Sequence, residues 1–174
     1  MLTNRKESDI MNKQQYTSAN TSINKNKLPR IYGLVRDRIG SGETVIDYGC
    51  GKYFDNWGLP ENFVGYDPFN RPNDELLNKH YDVALCSNVL NVIKEKEARL
   101  GVLEALKNLA SRIYITVYEG DRSRNSKETK DDCYQLNWSR GDYIPELVQI
   151  FGVGNVAFHH GYFVCAGSAE SEVV

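Results

Sequence analysis

The sequence predicts an α/β domain in which a mostly parallel β-sheet carries helices on both faces, giving a sandwich of three layers. Short β-branched and aromatic runs alternate along the chain with longer segments of helical periodicity. The length of 174 residues fits one domain. Hydrophobic residues at 41% and charged residues at 25% lie near the globular average, which argues against a disordered chain or a membrane protein.

Charge and hydropathy narrow the range of partners. The formal net charge is -2, so no broad basic field is available to hold duplex DNA, and we expect no such partner. The sequence shows neither a signal-peptide pattern nor a run of about 18 apolar residues. We therefore expect a soluble, cytoplasmic protein without a membrane partner, and the sequence leaves its oligomeric state open.

Three regions follow one another along the chain. Residues 1–26 are polar and read as a flexible arm, residues 27–167 form the predicted domain, and residues 168–174 are a short disordered tail. We expect part of 16–29 to cover the ligand pocket as a lid. The domain opens with a predicted helix at 28–39, whose apolar residues lie three or four positions apart.

The remaining elements are predicted from hydrophobic periodicity and from the turn residues between the segments. Helical spacing predicts helices at 89–109 and 143–151, and the long polar segment 119–140 between them is predicted to be functional or mobile. The last two predicted strands form an antiparallel hairpin that turns at His160 and Gly161. The strands are predicted at 44–48, 62–67, 81–88, 112–118, 153–159 and 162–166.

The first predicted strand ends in the glycine turn Asp47-Tyr48-Gly49-Cys50-Gly51. Glycines at alternating positions let a ligand approach the backbone closely. The third glycine of a dinucleotide fingerprint is replaced by Phe54, which disfavours a nicotinamide oxidoreductase. Lys52 is followed by Tyr53 and not by Ser or Thr, so the phosphate loop of ATPases is absent. The turn therefore favours a nucleoside without a polyphosphate.

Asp67 ends the second predicted strand, sixteen residues after Gly51. A carboxylate at this position can accept hydrogen bonds from both hydroxyls of a ribose. Asp67 also precedes Pro68, and an Asp-Pro pair often begins a turn. Both interpretations stay open at this point.

Together these segments resemble the class I S-adenosylmethionine-dependent methyltransferases, and the resemblance spans residues 28–167. Val45 to Gly51 looks like the first motif of that family, Tyr66-Asp67 like its second, and Tyr81 to Leu90 like its fourth-strand motif. The style is similar to that of small methyltransferases of phages and mobile elements. The resemblance implies a Rossmann-like sandwich that binds S-adenosyl-L-methionine. The cofactor-binding residues that it implies are Asp47, Gly49, Cys50, Gly51, Asp67, Pro68, Ser87, Asn88 and Val89.

The chain departs from this family in its middle region. Tyr53 stands where the first motif has its third glycine, and only a very short helix fits between Gly51 and Phe63. Thirteen residues separate Asp67 from Tyr81, where the family places a helix and a strand, so a compact or edge-deleted sheet is expected. The missing region often supplies the acid that reads adenine, for which Asp74 or Glu75 could substitute.

The acceptor of the methyl group is not identified by the sequence, and a small molecule, a protein or an RNA remains open. If a base is needed, the candidates are Glu119, Asp121, His159 and His160. Within 119–140, basic and aromatic residues could bind the acceptor, or the aromatic residues could simply anchor a solvated loop. The candidates for acceptor binding are Arg124, Tyr134, Gln135 and Trp138.

Two further expectations limit the chemistry. Amino-methylating DNA enzymes carry two prolines and an aromatic residue after the starting Asp or Asn, but here Asn88 is followed by Val89 and Leu90. The four cysteines form no CxxC pair, so no metal site is expected, and Cys50 and Cys86 are interpreted as core residues. The alternative to an enzyme is a non-catalytic S-adenosylmethionine-binding or interaction protein, which the shortened middle region favours.

Overall fold

The computed structural model describes residues 27–128 and 133–168. The predicted arm at 1–26, the loop residues 129–132 and most of the predicted tail lie outside the described residues. The lid at 16–29 falls almost wholly in the first of these segments and stays a prediction.

The described residues form three α-helices, eight strands and four short 3₁₀ helices. The α-helices are α1 (Arg30–Val35), α2 (Lys96–Leu109) and α3 (Arg140–Phe151). The strands are β1 (Val45–Tyr48), β2 (Phe63–Tyr66), β3 (Tyr81–Ser87), β4 (Ala110–Thr116), β5 (Lys127–Glu128), β6 (Tyr134–Gln135), β7 (Val156–His159) and β8 (Tyr162–Ala166). The 3₁₀ helices span Arg36–Arg38, Phe54–Trp57, Asp74–Asn78 and Leu90–Val92. Within these ranges no helix combines the length and apolar character needed to cross a bilayer.

Six strands form one sheet in the order β2-β1-β3-β4-β8-β7. The pairs from β2 through β4 are parallel, whereas β8 runs antiparallel to both β4 and β7. The predicted mostly parallel sheet with an antiparallel hairpin at its C-terminal end is thereby confirmed. Because the chain leaves β1 for β2 on one side and reaches β3 on the other, the topological switch point lies between β1 and β3.

β2 is the edge strand on one side of the sheet. The sequence predicts a compact or edge-deleted sheet in the region that follows this strand. Between β2 and β3 the structure has only an isolated bridge from Asp67 to Arg71 and the 3₁₀ helix Asp74–Asn78. A cleft of about 520 Å³ lies along this edge of the sheet, beside Phe63, Gly65 and Arg71. The Arg71 side chain donates to the backbone oxygen of Gly65 at 3.1 Å, which covers part of the open edge.

Alternate strand residues pack into two hydrophobic layers. Ile46 and Ile113 belong to the layer under α2 and α3, whereas Val45, Leu85 and Tyr114 belong to the layer under α1. Each strand of a sheet with both faces covered must be apolar on both sides, which explains the continuous apolar runs in the sequence. Helices on both faces are therefore confirmed.

All three predicted helices differ from the structure in their bounds. The first, predicted at 28–39, is an α-helix only over Arg30–Val35 and continues as the 3₁₀ helix Arg36–Arg38. The segment predicted as a helix at 89–109 begins its α-helix only at Lys96, because residues 90–92 form a 3₁₀ turn and Ile93 is extended. The helix predicted at 143–151 begins earlier, at Arg140. Ser139 and Asp142 form a capping box there, and this cap places Pro145 beyond the first turn.

Candidate functional site

The glycine turn lies at the switch point, directly after β1. Gly49 and Gly51 have φ values of 83° and 71°, in the left-handed region that favours glycine. The backbone N–H of Gly49 donates to the carbonyl of Tyr66 at 2.7 Å, which fixes the turn against β2. A Cβ atom on Gly49 would overlap the side chain of Val89, so the turn also packs against the segment that follows β3.

We expect Gly49→Ala to destabilise the fold by about 1–3 kcal/mol, because the alanine would face both a positive φ and the Val89 side chain. Urea unfolding measures the effect. Gly33→Ala is the matched control, since Gly33 is exposed in α1 with open space around it. The control should gain about 0.5–1 kcal/mol from helix propensity. Equal stabilities for Gly49→Ala and the wild type would contradict this account of the turn.

Asp47 is the buried acid of the site. It is 2% exposed, and its Oδ2 accepts a hydrogen bond of 2.7 Å from the Tyr32 hydroxyl. Its Oδ1 is buried and has no hydrogen-bond partner within residues 27–128 and 133–168. Burial raises the pKa of Asp47 to about 7, with the Tyr32 hydrogen bond lowering it and the charge of Asp67 adding to the rise. The site therefore holds a carboxyl group that keeps its proton to a higher pH than an ordinary aspartate does.

Asp67 organises the turn after β2. Its Oδ1 accepts hydrogen bonds from the backbone N–H groups of Phe69 and Asn70, at 3.0 and 2.7 Å, and from the Asn70 side chain at 3.0 Å. Its Oδ2 accepts from the backbone N–H of Gly51 at 3.0 Å. The turn-forming interpretation of Asp67 is thus present in the structure. The same carboxylate also ties this turn to the glycine turn.

The segment after β3 presents a strained residue. Asn88 has a φ of 57°, which is uncommon for a residue with a side chain. Its backbone N–H donates to the carbonyl of Thr116 at 2.9 Å, and its side chain is exposed. Ser87 is linked to the same neighbour through a hydroxyl–hydroxyl contact of 3.1 Å. The ends of β3 and β4 are therefore held together with the Asn88 amide left accessible.

The cysteines of the site are part of the core. Cys50 and Cys86 are buried, and burial raises the pKa of each thiol well above its ordinary value. The Cys50 sulfur lies on the same side of β2 as Phe54, where a side chain on Gly65 would collide with both. Neither thiol has the lowered pKa of a nucleophile, and both cysteines are core residues, as the sequence predicts.

The four candidate bases are dispersed. Glu119 is bound by Arg122 and Arg140, and these contacts lower its pKa below the ordinary value even though burial acts in the opposite direction. Asp121 is exposed and lies 3.7 Å from the ammonium of Lys127. His159, at the end of β7, stacks on Tyr162, with ring centroids 5.7 Å apart. His160 is exposed in the following turn, and β4 lies between this hairpin and β3.

The loop after β4 is pinned by a residue that sequence reasoning missed. Asn91 is 2% exposed; its Oδ1 accepts from the backbone N–H of Tyr118, and its Nδ2 donates to Gln135 at 3.1 Å. The Asn91 carbonyl accepts from the N–H of Leu136 at 2.7 Å. Tyr134 is buried, and Trp138 packs against Tyr143. The two aromatic residues act as anchors of the loop, the second of the interpretations left open by the sequence.

Described cations of the loop have acidic partners. The pairs are Arg122 with Glu119 at 3.0 Å, Arg124 with Asp142 at 2.5 Å, Lys127 with Asp121 at 3.7 Å, and Arg140 with Glu119 at 2.8 Å. Such pairing leaves little positive field for a polyanion. The 60% exposed Tyr118 ring, two residues after β4, is instead an aromatic surface near the end of β3. Asp74 and Glu75, the candidates for reading adenine, are exposed at the start of the 3₁₀ helix after Asn73.

Comparison with known proteins supports the fold and leaves the activity open. No protein-family model matches the sequence, and no curated protein matches it. A solved structure of a putative O-methyltransferase from Nostoc punctiforme PCC 73102 aligns with a TM-score of 0.53 and 7% identity, covering 94% of this chain and 68% of that one. The N-terminal domain of EvdMO1, crystallised in the presence of S-adenosylhomocysteine and D-fucose, aligns with a TM-score of 0.50 and 10% identity, covering 92% and 97%. The chain has the class I methyltransferase fold that the sequence resemblance implies.

Proposed function

We propose that the protein binds S-adenosylmethionine at the carboxyl ends of β1 and β3 and transfers its methyl group to an acceptor. One observation carries the proposal: the buried Oδ1 of Asp47, the first residue of the glycine turn, has no hydrogen-bond donor among the described residues. A buried carboxylate oxygen without a partner is costly, so a cationic N–H donor from a ligand would stabilise it strongly. S-Adenosylmethionine carries such a donor in its α-ammonium group.

The other residues of the crevice fit the same ligand. The turn through Gly49 and Gly51 has the backbone geometry that lets a ligand lie close to the chain. The Oδ2 atom of Asp67 has one donor in the structure, the N–H of Gly51. Since a carboxylate oxygen can accept two hydrogen bonds, Oδ2 can still accept one from a ribose hydroxyl. Pro68 follows at the rim of this turn.

Methyl transfer requires the acceptor to be aligned with the methyl group. Displacement at the sulfonium methyl group is an in-line reaction, and holding the acceptor in the correct geometry supplies much of the rate. The exposed amide of Asn88 and the ring of Tyr118 lie at the ends of adjacent strands, where they can orient an acceptor. Because Glu119 is held in ion pairs, we do not assign it the role of general base. An acceptor that loses its proton readily or reacts as a neutral amine fits this arrangement.

We expect Asp67→Ala to weaken S-adenosylmethionine binding roughly ten- to a hundredfold, because a charge-assisted hydrogen bond to the ribose is lost. Calorimetry measures the effect. Asp82→Ala is the control, since Asp82 is a hydrogen-bonded carboxylate at the second residue of β3, at the opposite end of the sheet. An Asp67→Ala variant with wild-type affinity would remove the ribose assignment.

Turnover separates the enzyme from the non-catalytic alternative. Purified protein is incubated with S-adenosylmethionine and panels of hydroxylated and amino-bearing aromatic compounds, peptides, RNA and plasmid DNA. S-Adenosylhomocysteine released with one acceptor class, and lost in Asn88→Ala, supports the enzyme. Tight cofactor binding without turnover across all panels favours a non-catalytic binding protein, and robust methylation of plasmid DNA would contradict the expectation about DNA.

A further inference from the structure

Tyr32 belongs to the site although it lies outside every motif. It sits on α1, is 6% exposed, and donates its hydroxyl proton to Asp47 Oδ2 at 2.7 Å. Its ring is held by Trp57 and Phe63, with centroid distances of 6.0 and 6.1 Å. The hydroxyl therefore has a fixed position, and a fixed donor acts on one oxygen of the carboxyl group, while the other oxygen is buried without a donor among the described residues.

The groups that face Asp47 come from each element packed against it. They are Tyr32 from α1, Cys50 from the glycine turn, Asp67 from the end of β2 and Cys86 from β3. Burial raises the pKa of Tyr32 and of both thiols, so all three stay neutral in the physiological range. Asp67 contributes negative charge, and no ion pair to Asp47 occurs within the described residues. The Tyr32 hydroxyl is thus the described side chain that favours the ionised form of Asp47.

We propose that Tyr32 is a positioning residue that controls the ionisation of Asp47 and thereby sets the pH above which the site accepts its cationic ligand. This inference rests on the proposed function. With a proton on Oδ1, Asp47 presents an O–H donor to an ammonium group that must itself donate. Ligand binding then requires that this proton leave Oδ1 for solvent, so one proton is released for each ammonium group bound.

The sign of the pH dependence follows. Burial raises the pKa of Asp47 to about 7, so ligand affinity should rise with pH towards neutral, until the ligand's own α-ammonium group, whose ordinary pKa is about 8, begins to lose its proton. Removing the Tyr32 hydrogen bond destabilises the ionised form and moves the same curve to higher pH. Hydrogen bonds to charged groups correspond to a displacement of about one to two pH units.

The test is calorimetry of S-adenosylmethionine binding to full-length wild type and Tyr32→Phe between pH 5.5 and 9, in buffers of different ionisation enthalpy. We expect the wild type to release up to one proton below neutral pH. We expect Tyr32→Phe to bind about tenfold more weakly than the wild type at pH 7, with a difference that shrinks as the pH rises further. Tyr143→Phe is the matched control, since Tyr143 is likewise buried and its hydroxyl has no hydrogen-bond partner in the part of the chain that the structure describes. It should follow the wild-type curve.

Three results would overturn the inference. An affinity loss in Tyr32→Phe that is the same at every pH would mean a merely structural role, and so would an unshifted curve. A wild-type affinity that does not change with pH would refute it as well, whereas absence of binding at every pH would refute the proposed function itself. If Tyr32→Phe does not fold, Asp47→Asn replaces it: an affinity that stays constant between pH 5.5 and 7 supports the inference, and an affinity that still rises over this range overturns it.

Discussion

Replacing Asp47 with asparagine is expected to weaken S-adenosylmethionine binding roughly a hundredfold at pH 8, because the buried partner of the ligand's ammonium group loses its charge. The shape of the side chain is preserved, and Tyr32 can still donate to the amide oxygen. At pH 5.5 the wild-type carboxyl is protonated for most of the time, since burial raises the pKa of Asp47 to about 7. The difference between the two proteins should therefore shrink at low pH.

The same variant has an effect on the unliganded protein. Because the folded-state pKa of Asp47 lies above its ordinary value of 3.8, this carboxyl stabilises the fold below pH 4, and that contribution is lost as the pH rises towards 7. Asp47→Asn should remove this decline in the free energy of unfolding. Urea unfolding at pH 5, 6, 7 and 8 measures it. Parallel pH profiles for the variant and the wild type would show that Asp47 is ionised normally in the fold.

Arg99→Met is expected to lower the free energy of unfolding by about 3–5 kcal/mol, because it leaves the buried carboxylate of Glu146 without its charged partner. Arg99 and Glu146 are 3% and 6% exposed and form two hydrogen bonds of 2.9 and 2.6 Å between α2 and α3. The guanidinium also donates to the carbonyls of Ile93 and Lys94 and lies 4.8 Å from the ring centroid of Trp138. Its loss should thus loosen the loop that covers the ends of β3 and β4.

Thermal and urea unfolding test this prediction, and a fall in Tm on the order of 10 °C is expected. Arg36→Met is the control, because Arg36 and Asp37 form an exposed pair, with side chains 83% and 94% accessible. It should change stability by less than about 0.5 kcal/mol. The double variant Arg99→Met, Glu146→Leu should recover much of the loss, since no unpaired charge remains. A single variant as stable as the wild type would contradict the role assigned to the pair.

Much of the fold can be predicted because the strands are short apolar runs bounded by clear turn residues. Val45 and Ile46 have to be apolar on both faces of a covered sheet, and that pattern is visible in the sequence. The run 89–109 misled the prediction because Asn91 looks like a helix-surface residue. In the structure Asn91 is buried and uses its amide to hold the following loop, which interrupts the helix.

The site is predictable where chemistry depends on neighbours in the chain and unpredictable where it depends on packing. Gly49 and Gly51 reveal themselves by spacing, since the turn needs positive φ at both. Tyr32 reads as one more apolar residue on a helix face, because a contact with a residue fifteen positions away leaves no local pattern. Arg99 likewise reads as a surface charge, because the acid that pairs with it is 47 positions away.

A crystal structure with S-adenosylhomocysteine tests the central claim most directly. We expect electron density for the ligand across the carboxyl ends of β1 and β3, with its ammonium nitrogen within hydrogen-bond distance of Asp47 Oδ1. It also predicts a ribose hydroxyl on Asp67 and the sulfur facing the Asn88 side chain. Density elsewhere on the molecule, or a ligand that leaves Asp47 Oδ1 without a donor, would contradict it.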